Sequence, residues 1–291
     1  MRFPPATVRT ALGLARESLA PERPRSLRRR FGSLCSGQSL YWRWIRRIHD
    51  GGPQRLPGPA RLTVLLQSFG RPDNMDRLAR AVACCDFVDR IVVASNNPRV
   101  DLAARMRLRD PRLEILVAGE PRFAGHRWNI AAAIGAEYLL AIDDDLFLFP
   151  GQIAALFEAL QSAPGVPHGF FGTVYLGPPA SARDERRRTE EWVTRAERDV
   201  DVIHQAYAVT ADHVRRYAEL RARLGLLDCR FGDDIVLSYA AAGPPRVHDR
   251  GPLLCCPTSA RDDVALSRRA DFFEVRREVA ARCIAHAGRS P

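Results

Sequence analysis

The chain has no lysine, and all 44 of its basic residues are arginine. A bias that uniform reflects coding composition before it reflects arginine-specific chemistry, so by itself it assigns no function. Long apolar runs are also missing. The most hydrophobic stretch, Tyr138 to Phe149, is interrupted by Asp143, Asp144 and Asp145, and falls short of the roughly 18 apolar residues a membrane-spanning helix needs. The expectation is a soluble or membrane-peripheral protein. Seven cysteines form an odd set, and none has the C-x-x-C spacing of a zinc site or redox motif, which leaves buried free thiols as the default. No internal repeat is present.

With 291 residues and 46% hydrophobic content, the chain can bury one large α/β domain, and disorder of the whole is excluded. The formal net charge is +10, yet the first fifty residues hold eleven arginines against three acids, so nearly all of the surplus sits there. Residues 1–60 read as a basic, Arg- and Pro-rich segment and linker, ending in Gly51-Gly52-Pro53 and Pro57-Gly58-Pro59. A solvated arm is the simplest account of it. The alternatives are attraction to an anionic membrane surface or nucleic acid, the latter disfavoured, and an import peptide.

The domain is expected over 61–291, with a nucleotide-binding half at 61–150 and an acceptor or catalytic half at 151–291. Apolar runs at Leu62–Phe69, Ile91–Ser95, Leu113–Ala118 and Tyr138–Ile142 read as strands. They alternate with helical patterns at Asp73–Cys84, Asp101–Leu108 and Arg127–Gly135. Strict alternation predicts a mostly parallel sheet flanked by helices. Ligands bind such sheets beyond the carboxyl ends of the strands, where Arg71, Asn96-Asn97 and the aspartate run lie. The second half is less regular: a strand over Val202–Val209, helices at Ala211–Leu224, Asp233–Ala242 and Ala270–Ala285, and a charged stretch from Ala182 to Asp199 read as an acceptor-side loop or exposed helix.

Three adjacent carboxylates at the end of an apolar strand, Asp143-Asp144-Asp145, repel one another unless a cation neutralises them. Oxygen ligands select Mg2+ or Mn2+, ions that commonly complete their shell with substrate phosphates, so a nucleotide diphosphate is the natural companion. Later in the chain Asp233-Asp234 begins an apolar-periodic helix, where the helix dipole favours negative charge. Helix capping alone explains that pair. A paired reading sets a metal and a carboxylate on opposite sides of one sugar. A third cluster is Arg261-Asp262-Asp263 followed by Ser267-Arg268-Arg269.

In their order, Arg71, Asn96-Asn97-Pro98, Arg127, Asp143 to Asp145 and Asp233-Asp234-Ile235 resemble the exostosin-type glycosyltransferase domain, family 64 of the glycosyltransferases, which has the GT-A fold. The resemblance spans about Arg61 to Phe273. It implies transfer of a sugar, N-acetylhexosamine above others, from a uridine diphosphate donor to a saccharide or glycoconjugate acceptor, with manganese and with retention. Arg71, Asn96 and Arg127 would surround uracil, ribose and diphosphate. Asp143 and Asp144 would hold ribose and sugar, Asp145 with Asp143 the metal, and Asp233 and Asp234 would lie against the transferred sugar with Arg269 near the diphosphate. The chain departs from the family at Glu120–Ala124, where an asparagine toward the nucleotide is expected. It also has Gly232 and Phe272 where animal members carry cysteines, a joint loss that fits a reducing, cytoplasmic setting.

Three competing readings remain. An inverting family 2-like enzyme would use Asp233 or Asp234 as general base. A nucleotidyltransferase would need more of a phosphate loop than Gly70-Arg71. A non-catalytic protein would act through the basic arm.

Overall fold

The computed structural model describes residues 16–17, 27–180, 186, 188–227, 230–256 and 266–288. Strand β1 (Leu62–Ser68) is buried along its whole length, as expected for a strand covered by helices on both faces. It pairs in parallel with β2 (Val88–Ser95) and with β4 (Tyr138–Asp143), and β2 pairs in parallel with β3 (Leu113–Val117). Crossovers run through α2 (Pro72–Ala83), the short α3 (Leu102–Arg105) and α4 (His126–Ile134). Proline at the start of α2 suits a position whose amide needs no helical partner, and Met75, Leu78, Ala79 and Val82 put a buried stripe on one side. Short β5 (Leu146–Phe147) and helix α5 (Pro150–Ser162) follow β4.

The sheet then changes direction. Strand β11 (Ala206–Thr210) lies antiparallel beside β4 and hands the sheet on to β6 (His168–Gly169), β12 (Arg246–Val247) and β9 (Arg198–Asp199), giving the order 9-12-6-11-4-1-2-3. A second, antiparallel sheet is formed by β10 (Val202–Ile203), β7 (Phe171–Tyr175) and β8 (Glu190–Thr194). The mixed, mostly parallel sheet flanked by helices is the architecture expected from the sequence.

Because side chains alternate across a strand, β1 feeds two cores. Leu62, Val64 and Leu66 face one, with Met75 and Leu78 of α2 and Leu156 and Phe157 of α5. Leu65 faces the other, with Trp128 of α4, Val214 and Tyr217 of α6 (Ala211–Arg223), Ile235 and Leu237 of α7 (Asp233–Ala240), and Val279 and Cys283 of α8 (Phe272–Ala287). The result is three layers, helix on sheet on helix.

Three local expectations are corrected. The stretch read as a linker contains helix α1 (Leu27–Asp50), whose Leu40, Tyr41, Trp44 and Ile48 join the first core. That helical periodicity was masked by the arginines between them. Trp44 is fully buried, packs at a tilt against Phe147 with 5.0 Å between centroids, and donates its indole N–H to the Leu148 carbonyl at 2.8 Å. In the charged stretch 182–199, residues Glu190–Thr194 form strand β8 against β7. The run Val202–Val209 is two strands rather than one, broken at His204-Gln205, where Gln205 adopts a left-handed φ of 64°. Among the described residues no helix is long and apolar enough to cross a membrane, and Cys84 and Cys85 are free thiols.

Trp44→Ala tests whether α1 is integral to the domain. Loss of a buried indole and its hydrogen bond should cost about 3–5 kcal/mol in chemical denaturation, whereas a loosely attached helix would leave the transition unchanged.

Candidate active site

The site gathers where strands β1, β2 and β4 end. Asp143 is the last residue of β4, opposite Gln67 on β1. Its carboxylate accepts from the Arg127 guanidinium, which projects from the first turn of α4 and is 4% exposed. Arg127 also reaches across to Asp233, with Nε 3.3 Å from Oδ2, and rests over the Tyr207 ring at 5.1 Å. Burial lowers the Arg127 pKa, and Asp143 and Asp233 outweigh that, raising it far above the usual value. The two aspartate motifs are therefore one cluster, joined by a single buried cation.

Asp233 and Asp234 open helix α7, entered through Gly232 at φ 95°. A side chain there would be strained by the left-handed backbone and would press within 3.1 Å of Val279, which accounts for glycine at this position. Asp233 accepts from Trp128 Nε1 at 3.1 Å, and its carboxyl is raised by burial, with Asp234 and Asp143 adding and Arg127 opposing. Asp234 is held differently. Burial pushes its carboxyl up, but Arg276 of α8, donating at 2.5 and 2.9 Å, and His204 at 2.9 Å hold it ionised well below the usual range. His204 Nε2 in turn lies 2.8 Å from Thr173 Oγ1.

On the other side of β4, Asp144 accepts from Arg71 at 2.6 Å and from Ser68 Oγ and the Phe69 amide, both at 3.3 Å. Asn74 of α2 donates to the Asp144 carbonyl at 2.8 Å. Asp145 has looser partners: Arg71 at 3.6 Å and Gln205 Nε2 at 3.3 Å. Burial, with Asp143 and Asp144 adding, lifts its carboxyl to about 7 against the Arg71 charge. Gln205 meets Asp143 as well, its carbonyl accepting the Asp143 amide at 2.8 Å. A non-glycine residue in the left-handed region costs about 1–2 kcal/mol.

Toward β2, Asn96 is 2% exposed and donates to the Phe123 carbonyl at 3.0 Å, while its Oδ1 is buried with no hydrogen-bond partner. Gln67 Nε2 is likewise buried and unpartnered. Gln67 pairs in register with Ala94, two residues before Asn96, so the two amides share a face. One unsatisfied donor and one unsatisfied acceptor on the same face suit the edge of a planar heterocycle carrying a carbonyl and an N–H. The segment Glu120–Ala124 lies against them through the Arg122 amide and the Phe123 carbonyl, both bonded to Asn96.

The structure thus brings together Arg71, Arg127, Asp143, Asp144, Asp145, Asp233 and Asp234, with Asn96 at the rim. Arg269 lies just before α8 with its side chain exposed, and Arg276 is the arginine on Asp234. Arg261, Asp262 and Asp263 lie outside the described residues. Sequence reasoning missed Gln67, His204, Gln205 and Arg276. Only Gln67 left a signal, as the single amide in an otherwise apolar strand.

Among the described residues no group of three or more His, Cys, Asp or Glu side chains converges into a metal cage. Asp143 is turned to Arg127, so Asp145 is the carboxylate whose partners are most easily displaced. One or two carboxylates completed by phosphate oxygens and water is how hard divalent cations are commonly held next to a nucleotide. The oxygen donors here fit that open arrangement.

No protein-family model matches the chain, and no curated protein matches it in sequence. Solved structures similar to it include GalNAc-T7 with UDP, GalNAc and Mn2+ (13% identity, 64% of this chain and 41% of that one, TM-score 0.45). Another is CMP:2-keto-3-deoxy-manno-octonic acid synthetase with CTP (11% identity, 65% and 90%, TM-score 0.40). The chain thus spans about two fifths of the transferase's length, and function has to be argued from its own residues.

The Asp145 carboxyl carries a pH signature. Its folded pKa of about 7 exceeds the reference value of 3.8, so the stability it contributes is full below about 4 and is lost as pH rises through 7. In chelator, Asp145→Asn should gain on the wild type by about 2–4 kcal/mol between pH 4 and 8. Parallel stability curves for the two proteins would show that Asp145 is not in a strained acidic environment.

Proposed function

We propose that the chain is a metal-dependent glycosyltransferase of the GT-A type, moving a sugar from a uridine diphosphate donor to a saccharide or glycoconjugate acceptor. The observation that carries this reading is Arg127 bridging Asp143 to Asp233: a strand-end acid run and a helix-start acid pair then face one volume, as donor and sugar require.

In this reading Gln67 and Asn96 supply the donor and acceptor that uracil lacks in water-free surroundings, and Arg71 with Arg127 hold ribose and diphosphate. Asp143 and Asp144 orient ribose and sugar. Mn2+ or Mg2+ on Asp145, with Asp143 as a second ligand, would neutralise the departing diphosphate. Asp234, kept ionised by Arg276 and His204, faces developing positive charge at the anomeric carbon, and the leaving phosphate takes the acceptor proton on the same face. Arg269 would have to swing toward the diphosphate to share that charge. N-acetylhexosamine is the sugar we favour, with retention.

One observation favours the inverting alternative. The raised pKa of Asp233 is what a general base working near neutrality requires. Proton NMR of the first-formed product decides, since an axial anomeric bond retained from donor to product excludes that base.

The exposed Trp42, Arg43 and Arg46 on α1 offer one ring and two cations to an anionic membrane surface, and the free thiols suit a cytoplasmic setting. Sedimentation with anionic vesicles at low salt, abolished by salt, supports the membrane contact. Absence of sedimentation at low salt removes it.

Thermal shift against nucleotide diphosphates and their sugars, with and without metal, tests the activity class. Stabilisation by a uridine diphosphate sugar only with Mn2+, lost in Asp145→Asn, is expected. No response to any nucleotide would refute the transferase.

A further inference from the structure

Gln205 is the residue where the chain leaves the small sheet at β10 and enters the large one at β11. It is one of two non-glycine positions with positive φ among the described residues, the other being Arg195. A left-handed glutamine persists only where the surroundings impose it, and such strain concentrates at working sites. Here the strain has a visible consequence. The turn sends the Gln205 carbonyl onto the Asp143 amide at 2.8 Å and its side-chain amide onto Asp145 Oδ1 at 3.3 Å. The Cys255 thiol, on the short strand β13 (Leu254–Cys255), lies 4.0 Å from Gln205 Oε1. The next residue, Cys256, donates its amide to the Asp145 carbonyl at 2.7 Å. One residue thus holds the first and last members of the aspartate run, from the strand on the other flank of β4 from β1, which leads to Arg71.

We propose that Gln205 is a positioning residue for the cation-binding aspartates, fixing Asp143 through its backbone and Asp145 through its side chain. This rests on the reading of Asp145 as the cation ligand. The amide holds Asp145 by Oδ1 and leaves Oδ2, 3.6 Å from Arg71, to face the cation. A neutral amide suits that role: it satisfies one buried oxygen without adding a positive charge that would compete with the cation.

Substitutions separate the two contacts. Gln205→Gly keeps the carbonyl and relieves the left-handed strain, but removes the amide. Gln205→Asn tolerates the same φ and retains a shorter amide. The expected result for Gln205→Gly is an unchanged or higher melting temperature without ligand, together with at least about a fivefold weaker response to Mn2+ and uridine diphosphate added together, which is near the small end of site-coupling effects. Gln205→Asn should restore part of that response. Equal Mn2+ and uridine diphosphate affinity in Gln205→Gly and wild type overturns the proposal.

A ligand-free cycle keeps this separate from the donor reading. Gln205→Ala and Asp145→Asn, singly and together in chelator, should shift the melting temperature non-additively if the side chains are coupled. Additive shifts overturn the role of Gln205. Coupling in that cycle with a wild type that ignores Mn2+ and uridine diphosphate keeps the Gln205–Asp145 contact and faults the cation assignment on which the proposal rests.

Discussion

Five carboxylates with little access to solvent converge at one end of the sheet, and the rest of the site depends on how their charge is balanced. Asp143, Asp144, Asp145, Asp233 and Asp234 share three guanidiniums, Arg71, Arg127 and Arg276. The acids raise the pKa of all three arginines, and Asp234 keeps its charge because of Arg276 and His204. Acids outnumber guanidiniums, and Asp145, with the loosest partners, carries the imbalance as a carboxyl raised to about 7. A buried cluster with a negative surplus binds either a proton or a cation. A diphosphate entering the same volume would make a divalent cation indispensable.

The fold concentrates that charge without ordering a long loop. Three parallel strands end side by side, α2 and α4 begin there, and α7 is brought up against α4 by close contact at Gly125, where an added carbon would lie 3.2 Å from the Asp233 side chain. Each charged group sits at or next to a strand end or within the first two turns of a helix, so position follows from packing of the two cores rather than from flexible segments. Arg276 illustrates the point: α8 packs on α7 through Val279 and Cys283, and that packing sets the guanidinium on Asp234.

What could be read from the residues alone was the alternation of strand and helix, the parallel half of the sheet, and the aspartates that lie at its end. Those signals are local, since a buried parallel strand is continuously apolar and a charge run at its end stands out. The single-strand assignment for Val202–Val209 and the loop-or-helix assignment at Glu190–Thr194 failed because both are settled by pairing with distant strands. Helix α1 escaped notice because Tyr41, Trp44 and Ile48 are diluted by Arg43, Arg46 and Arg47. His204, Gln205 and Arg276 had no local mark at all: each acquires its role from one contact made across the fold. Gln67 was visible as an amide in an apolar strand, and its meaning appeared only beside the unsatisfied oxygen of Asn96.

A crystal structure of the protein with uridine diphosphate and Mn2+ tests the central claim most directly. The account predicts a cation on the Asp145 carboxylate shared with the diphosphate, Gln205 still bonded to the other Asp145 oxygen, and uracil against Gln67 and Asn96. A nucleotide bound elsewhere, or a cation that leaves Asp145 untouched, would contradict it.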